Sequence, residues 1–168
     1  MNKLEKICEV KRQQLQKIKN INKYKNLEKV KLRGFLSNLK KVDSNKFPII
    51  AEIKKKSPSK GILCKNFDPL SIAKTYEKAG AKCLSILTEE KFFGGDINFI
   101  PLIKEKVSLP VLRKDFIIDE WQIYESYYYG ADCILLILAI LNDKQVTLFY
   151  NIAKKMGMDV ICEVHDDI

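Results

Sequence analysis

The sequence predicts an α/β protein built on a parallel sheet, and three observations carry that expectation. From residue 48 onwards, short apolar runs alternate with amphipathic stretches, strand to helix to strand, four times over. The runs are apolar almost throughout, as strands covered on both faces must be. The connections place helix-starting and helix-ending residues where βα units need them. Period and composition leave open whether the sheet is an open, doubly wound one or the wall of a closed barrel. No G-x-G-x-x-G follows the first strand and there is no P-loop signature, which counts against a nucleotide fold.

The elements follow in order. Residues 3–20 carry Leu4, Ile7, Cys8, Leu15 and Ile18 at helical spacing, and a second helical stretch over 27–41 carries Val30, Phe35, Leu36 and Leu39. Together they make an N-terminal helical extension, residues 1–47, ahead of the strand-and-helix part, residues 48–168. PIIAEIK (48–54) is the first strand, followed by a polar loop. Asp68 caps a helix that has Pro69 at its first position and Gly80 past its end. KCLSILTE is the second strand, EKFFGGD a loop, and a short helix follows around Asn98 to Lys104. PVLRKDF is the third strand, with a helix over 119–129 and Gly130 beyond it. DCILLIL is the fourth strand. Asn142 caps a helix to about Met156, Gly157 ends it, and DVICEV is the fifth strand.

Composition excludes several classes. The chain has 168 residues, 46% hydrophobic and 30% charged, the balance of one globular domain. No apolar run is long enough to span a bilayer and the N-terminus lacks the apolar core of a secretion signal, so a cytoplasmic location without a membrane partner is expected. Five cysteines, none in a C-x-x-C, read as reduced thiols rather than a disulfide frame or a zinc site. His165 is the only histidine, which leaves no His-based metal site or Ser-His-Asp triad. Residues 1–65 carry 19 Lys/Arg against 5 Asp/Glu, and residues 66–168 carry 11 against 16, giving a net charge of +9. The basic third suits an anionic partner, but it lacks the interleaved aromatics of a single-strand binder, so no nucleic-acid partner is expected.

Ionisable residues interrupt the strands in one place. Side chains alternate along a strand. Glu52 and Lys54 share a face of the first strand, Leu112, Lys114 and Phe116 a face of the third, and Ile161, Glu163 and His165 a face of the fifth. Three strands thus carry charge near their carboxyl ends, where parallel α/β folds bind ligands. A converging Glu–Lys–Lys–Glu set can do general acid/base work. The plainer reading is two structural ion pairs, Glu52–Lys54 and Lys114–Glu163. The loop Lys54-Lys55-Lys56-Ser57 with Ser59, Lys60 and Gly61 suits an anion, and Phe92-Phe93-Gly94-Gly95 could stack on an aromatic substrate.

IIAEIKKKSPSKG, SILTEEKFFGGD, PVLRKDFIIDEWQIYESYYYGADCILLI and CEVHDD, in that order, resemble the indole-3-glycerol phosphate synthase family over essentially the whole chain. The resemblance implies a (β/α)8 TIM barrel with an N-terminal helical extension, of which this chain carries about the first five strands and four connecting helices. It implies an enzyme of tryptophan biosynthesis, a carboxy-lyase acting on a phosphorylated small molecule with neither cofactor nor metal. It assigns Lys114 as general acid on the substrate carbonyl and Glu163 to the acid/base step after ring closure. Lys54 would contact the substrate's anionic groups and assist decarboxylation and dehydration, Glu52 would orient the lysines, and Ser57, Phe93, Phe116 and Leu135 would line the pocket. The family's phosphate grip comes from strands six to eight. A chain of five strands would then be inactive alone, with a complementing C-terminal fragment or self-association through its edge strands as its protein partner. Two alternatives stand beside this: another phosphate-binding barrel enzyme of the same route, which lacks the Glu-x-Lys with S-P-S, and an inactive barrel remnant that binds RNA or another partner through its basic third.

Overall fold

Residues 3–18, 24, 30–41 and 47–164 are described in a computed structural model of the chain. In chain order these residues form α1 (Lys3–Ile18), α2 (Phe35–Lys40), β1 (Ile50–Ile53), a hairpin of β2 (Lys56–Ser57) and β3 (Gly61–Ile62), α3 (Pro69–Lys78), β4 (Cys83–Leu87), α4 (Glu90–Phe93), α5 (Phe99–Lys106), β5 (Val111–Lys114), α6 (Trp121–Tyr128), β6 (Cys133–Ile137), a 3-10 turn (Leu138–Ile140), α7 (Asp143–Lys155) and β7 (Asp159–Glu163). The main sheet has five strands in the order β1-β4-β5-β6-β7, each paired parallel to the next. Spatial order follows chain order without reversal. A doubly wound sheet reverses at a switch point, so this order is that of a barrel wall and answers the question the periodicity left open.

Local chemistry fixes the helix ends. Asp68 accepts from the N–H groups of Leu70 at 3.0 Å and Ser71 at 3.2 Å, with Pro69 in the first turn. Asn142 and Gln145 form a reciprocal capping box at the start of α7. The expected EKFFGGD loop contains a helical turn, α4, because the buried Glu89 carboxylate accepts from the N–H groups of Lys91, Phe92 and Phe93. Gly94 ends that turn at φ 64°, and a Cβ on Gly95 would collide with the Leu87 carbonyl.

The sheet has two differently dressed faces. Ile53, Leu84, Ile86 and Val111 point to one face and pack with Ala73, Ile100 and Ile103 of α3 and α5. Ile134 and Leu136 continue that face against Ile123, Phe149 and Ala153 of α6 and α7. The other face carries Cys83, Leu112, Cys133, Leu135 and Ile137, with Phe35 of α2 buried against it. α2 is shorter than the helix expected over 27–41. Residues 30–34 are not helical, because their polar groups bond to distant parts of the fold instead. The Val30 N–H donates to Tyr127 Oη at 3.0 Å and the Arg33 N–H to Asp132 Oδ1 at 2.7 Å, and Gly34 turns the chain at φ 67°. Residues 25–29 lie outside the described residues. The guanidinium of Arg33 donates to the carbonyls of Val107 and Leu109 at 2.6 and 3.1 Å, while Lys104 Nζ lies 2.7 Å from Asp132 Oδ1. This end of the strands is a network of structural hydrogen bonds. The polar loop after β1 is partly ordered as well, with Ser57 paired to Gly61 across the β2–β3 hairpin.

Candidate active site

At the carboxyl ends of the strands lies a cavity of about 550 Å³, bordered by Glu52, Lys54, Leu87, Phe93, Lys114, Asp115, Phe116, Leu135, Ile137 and Glu163, and by Lys3, Leu4 and Ile7 of α1. Strand alternation builds it. Leu112, Lys114 and Leu135 share the inner face of the sheet, and Leu87 is Lys114's partner in register. Glu163 is paired in register with Ile137. Each ionisable group stands at the last position of its strand or next to it, where the sheet stops covering its neighbours.

The charges meet in pairs. Lys114 Nζ lies 2.6 Å from Glu163 Oε2, reaching past β6, with both side chains 29% exposed. Lys54 Nζ bonds Glu52 Oε1. Phe93 and Phe116 face each other with ring centroids 6.0 Å apart and planes 36° apart, a spacing typical of an aromatic pair. The result is a half-open cleft with two ammonium–carboxylate pairs on its floor and apolar walls. Among the described residues, no cluster of His, Cys, Asp or Glu is arranged to hold a metal ion, and no helix is long and apolar enough to cross a membrane.

Behind Lys114, on the opposite face of β5, is a second layer of charge. Arg113 is 4% exposed and contacts Asp115 at 3.1 Å and Glu125 at 2.9 Å. Asp115 also accepts from Thr88 Oγ1 at 2.6 Å and pairs with Lys11 of α1 at 2.8 Å. Burial opposes the Asp115 charge, but Lys11 and Arg113 outweigh it and hold the carboxyl well below the usual carboxylate range.

Seven of the residues singled out from the sequence (Glu52, Lys54, Phe93, Lys114, Phe116, Leu135 and Glu163) border this one cavity. Ser57 stands apart in the hairpin, where its Oγ accepts from the Lys60 N–H at 3.2 Å. His165 lies outside the described residues. Sequence reasoning missed Leu87 and Ile137, which the same alternation could have supplied. It also missed Lys3, Leu4, Ile7 and Asp115, for which an amphipathic helix and a charged strand end gave no local signal.

An all-parallel βα wall with acid/base pairs at its strand ends is the construction of a (β/α)8-barrel protein. The chain belongs to the indole-3-glycerol phosphate synthase family, whose family model matches residues 4–168. It is 48% identical over 166 residues to the indole-3-glycerol phosphate synthase of Caldanaerobacter subterraneus subsp. tengcongensis, covering 98% of this chain and 64% of that protein. Identity to the protein of the same name from Thermoanaerobacter pseudethanolicus is 46%, covering 97% of this chain and 63% of the relative. A Legionella pneumophila relative of that name is 53% identical over 80% of this chain and 51% of its own length. The chain thus spans somewhat under two thirds of the length of the relatives it matches.

Proposed function

We propose that this cavity is the reacting half of an indole-3-glycerol phosphate synthase, which closes the indole ring of 1-(2-carboxyphenylamino)-1-deoxyribulose 5-phosphate with loss of carbon dioxide and water. The supporting observation is the meeting of Lys114–Glu163 and Lys54–Glu52 beside the Phe93–Phe116 pair in a single cleft. The substrate's benzoate ring suits the apolar walls, and its carboxylate suits Lys54.

Proton bookkeeping gives each group a task. The ring carbon bearing the carboxylate bonds to the ketose carbonyl carbon, and the carbonyl oxygen takes a proton from the Lys114 ammonium. Carbon dioxide departs, leaving its bonding pair in the ring. The new hydroxyl leaves as water with a proton from Lys54, while Glu163 removes a proton from the carbon beside the ring nitrogen. Glu163 then returns that proton to Lys114 across their contact, and Lys54 is reprotonated by solvent. Glu52 orients Lys54, and Ser57, on the hairpin that follows β1, offers its hydroxyl to the substrate's polar end.

The test is a chimera joining residues 1–168 to the remaining C-terminal segment of the Caldanaerobacter relative. It is expected to form fluorescent indole product, whereas the 168-residue polypeptide alone is expected to form none. In the chimera, Lys114→Ala should lower kcat by at least about 100-fold while KM changes little, because a general acid acts in the transition state. Lys54→Ala should raise KM as well. A Lys114→Ala chimera that turns over like its parent removes the assignment.

A further inference from the structure

α1 meets the sheet through an unusual contact. Leu4, Ile7, Lys11 and Leu15 fall at helical spacing on one stripe of the helix. Leu4 and Ile7 border the cavity, and Leu15 packs with Trp121 and Tyr24. Between them, where an aliphatic residue would complete the stripe, stands Lys11, with its side chain only 10% exposed and paired at 2.8 Å to Asp115, itself 1% exposed. Asp115 immediately follows Lys114. Its carboxylate is already held on β5 by Arg113 and Thr88 and accepts from the Phe116 N–H at 2.8 Å. Asp115 is therefore held in place by β5 and its neighbours independently of Lys11, and Lys11 is the contact that α1 brings to it.

An apolar stripe sticks to an apolar surface at several rotations and offsets. A buried charge does so at one, because burial anywhere else leaves it unpaired. Register-setting is the best-attested use of a buried ion pair, and stability is not. We propose that Lys11 is a positioning residue for the ring-closing reaction. Docked on Asp115, it sets the rotation and offset of α1 so that Leu4 and Ile7 form an apolar wall for the substrate ring in the cavity that Phe93 and Phe116 also border. The inference rests on the reaction assigned above, and its test separates the two.

Lys11→Met keeps the unbranched stem and removes the charge; Lys11→Arg keeps the charge. Binding of 2-aminobenzoate, a fluorescent aromatic acid, to the 168-residue chain reads the wall without any chemistry. Lys11→Met should weaken that binding by about tenfold, as loss of one aliphatic wall would. In the chimera it should raise KM by about as much and change kcat far less. Its melting temperature should stay within a few degrees of the parent, since Asp115 keeps its other partners. Lys11→Arg should restore both binding and KM. A purely structural ion pair would show the reverse, a lower melting temperature with unchanged binding, and that result overturns the proposal. So does a parent chain that fails to bind 2-aminobenzoate. A chimera that makes no indole counts against the assigned reaction, while the binding series still decides the role of Lys11.

Discussion

Asp132→Ala is expected to destabilise the fold by about 4 kcal/mol, although the residue lies at the end of the sheet away from the cavity. Its carboxylate is fully buried. It accepts from the Arg33 N–H at 2.7 Å, the Val111 N–H at 2.8 Å and Lys104 Nζ at 2.7 and 2.8 Å. Removing one member of a buried ion pair costs about 3–5 kcal/mol, because the other charge stays buried without compensation. The two orphaned N–H groups would add about 1–3 kcal/mol each if nothing relaxed. The segment holding Arg33 is only part-buried and can turn to water, so the ion pair sets the scale. Lys104 keeps one partner, the Gly130 carbonyl at 2.5 Å. Burial already pulls the Lys104 ammonium below its ordinary range, against the pull of Asp132. Without Asp132 it falls further. The unfolded chain then binds the extra proton, so the variant's stability should rise with pH up to the ordinary lysine value of about 10.4. Urea unfolding followed by far-UV circular dichroism reads the loss directly. Adding Lys104→Met should recover part of it, since the stranded charge is gone. A loss under about 1 kcal/mol with an unchanged denaturant slope would refute the assignment of Asp132 as the hub of that end.

The sheet's outer strands carry a second expectation. β1 and β7 are the two ends of the strand order, and Ile50 and Val164 are exposed there, so the 168-residue polypeptide should self-associate in sedimentation velocity and do so less when a fragment supplying the relatives' later strands is added. A monodisperse monomer would contradict this. The thiols carry a third. Cys162 is exposed and Cys64 half-buried, whereas Cys8, Cys83 and Cys133 are buried. Burial pushes the Cys83 thiol up to about 12, so at mild alkaline pH a disulfide reagent should titrate two cysteines quickly and three only on unfolding. Because that folded value is raised, the neutral thiol's stabilisation is complete below the unfolded value of about 8.5 and is lost as pH climbs towards 12. Five rapidly reacting thiols would show the interior to be open.

The strands, and the face on which each charge sits, were legible because both follow from short-range rules. Period-two alternation groups Glu52 with Lys54, Lys114 with Leu112 and Phe116, and Glu163 with Ile161 on their own strands, and the parallel register then brings Glu52, Lys114 and Glu163 to one cavity. Asp68 and Asn142 announced their helices in the same way. What could not be read locally was settled by contacts distant in sequence. Nothing in residues 30–34 says that Arg33 will bond Asp132, so the helical spacing there was misleading. Nothing in α1 says which surface its stripe will cover. The Lys- and Ser-rich run around Ser57 read as a plain loop, and the two-residue ladder that pairs Ser57 with Gly61 there had no signal in the sequence.

The docking of α1 also has a consequence for synthesis. The helix leaves the ribosome well before its partners, Asp115 and Trp121, which lie about a hundred residues later in the chain. At roughly 5–20 residues per second, that interval is on the order of 5–20 s. For that time Ile7, Cys8 and Leu15, all buried in the finished fold, have no native surface to cover. The nascent chain therefore carries an unmatched amphipathic helix until β5 and α6 emerge. The five lysines and arginines of α1 keep that helix in water while it waits.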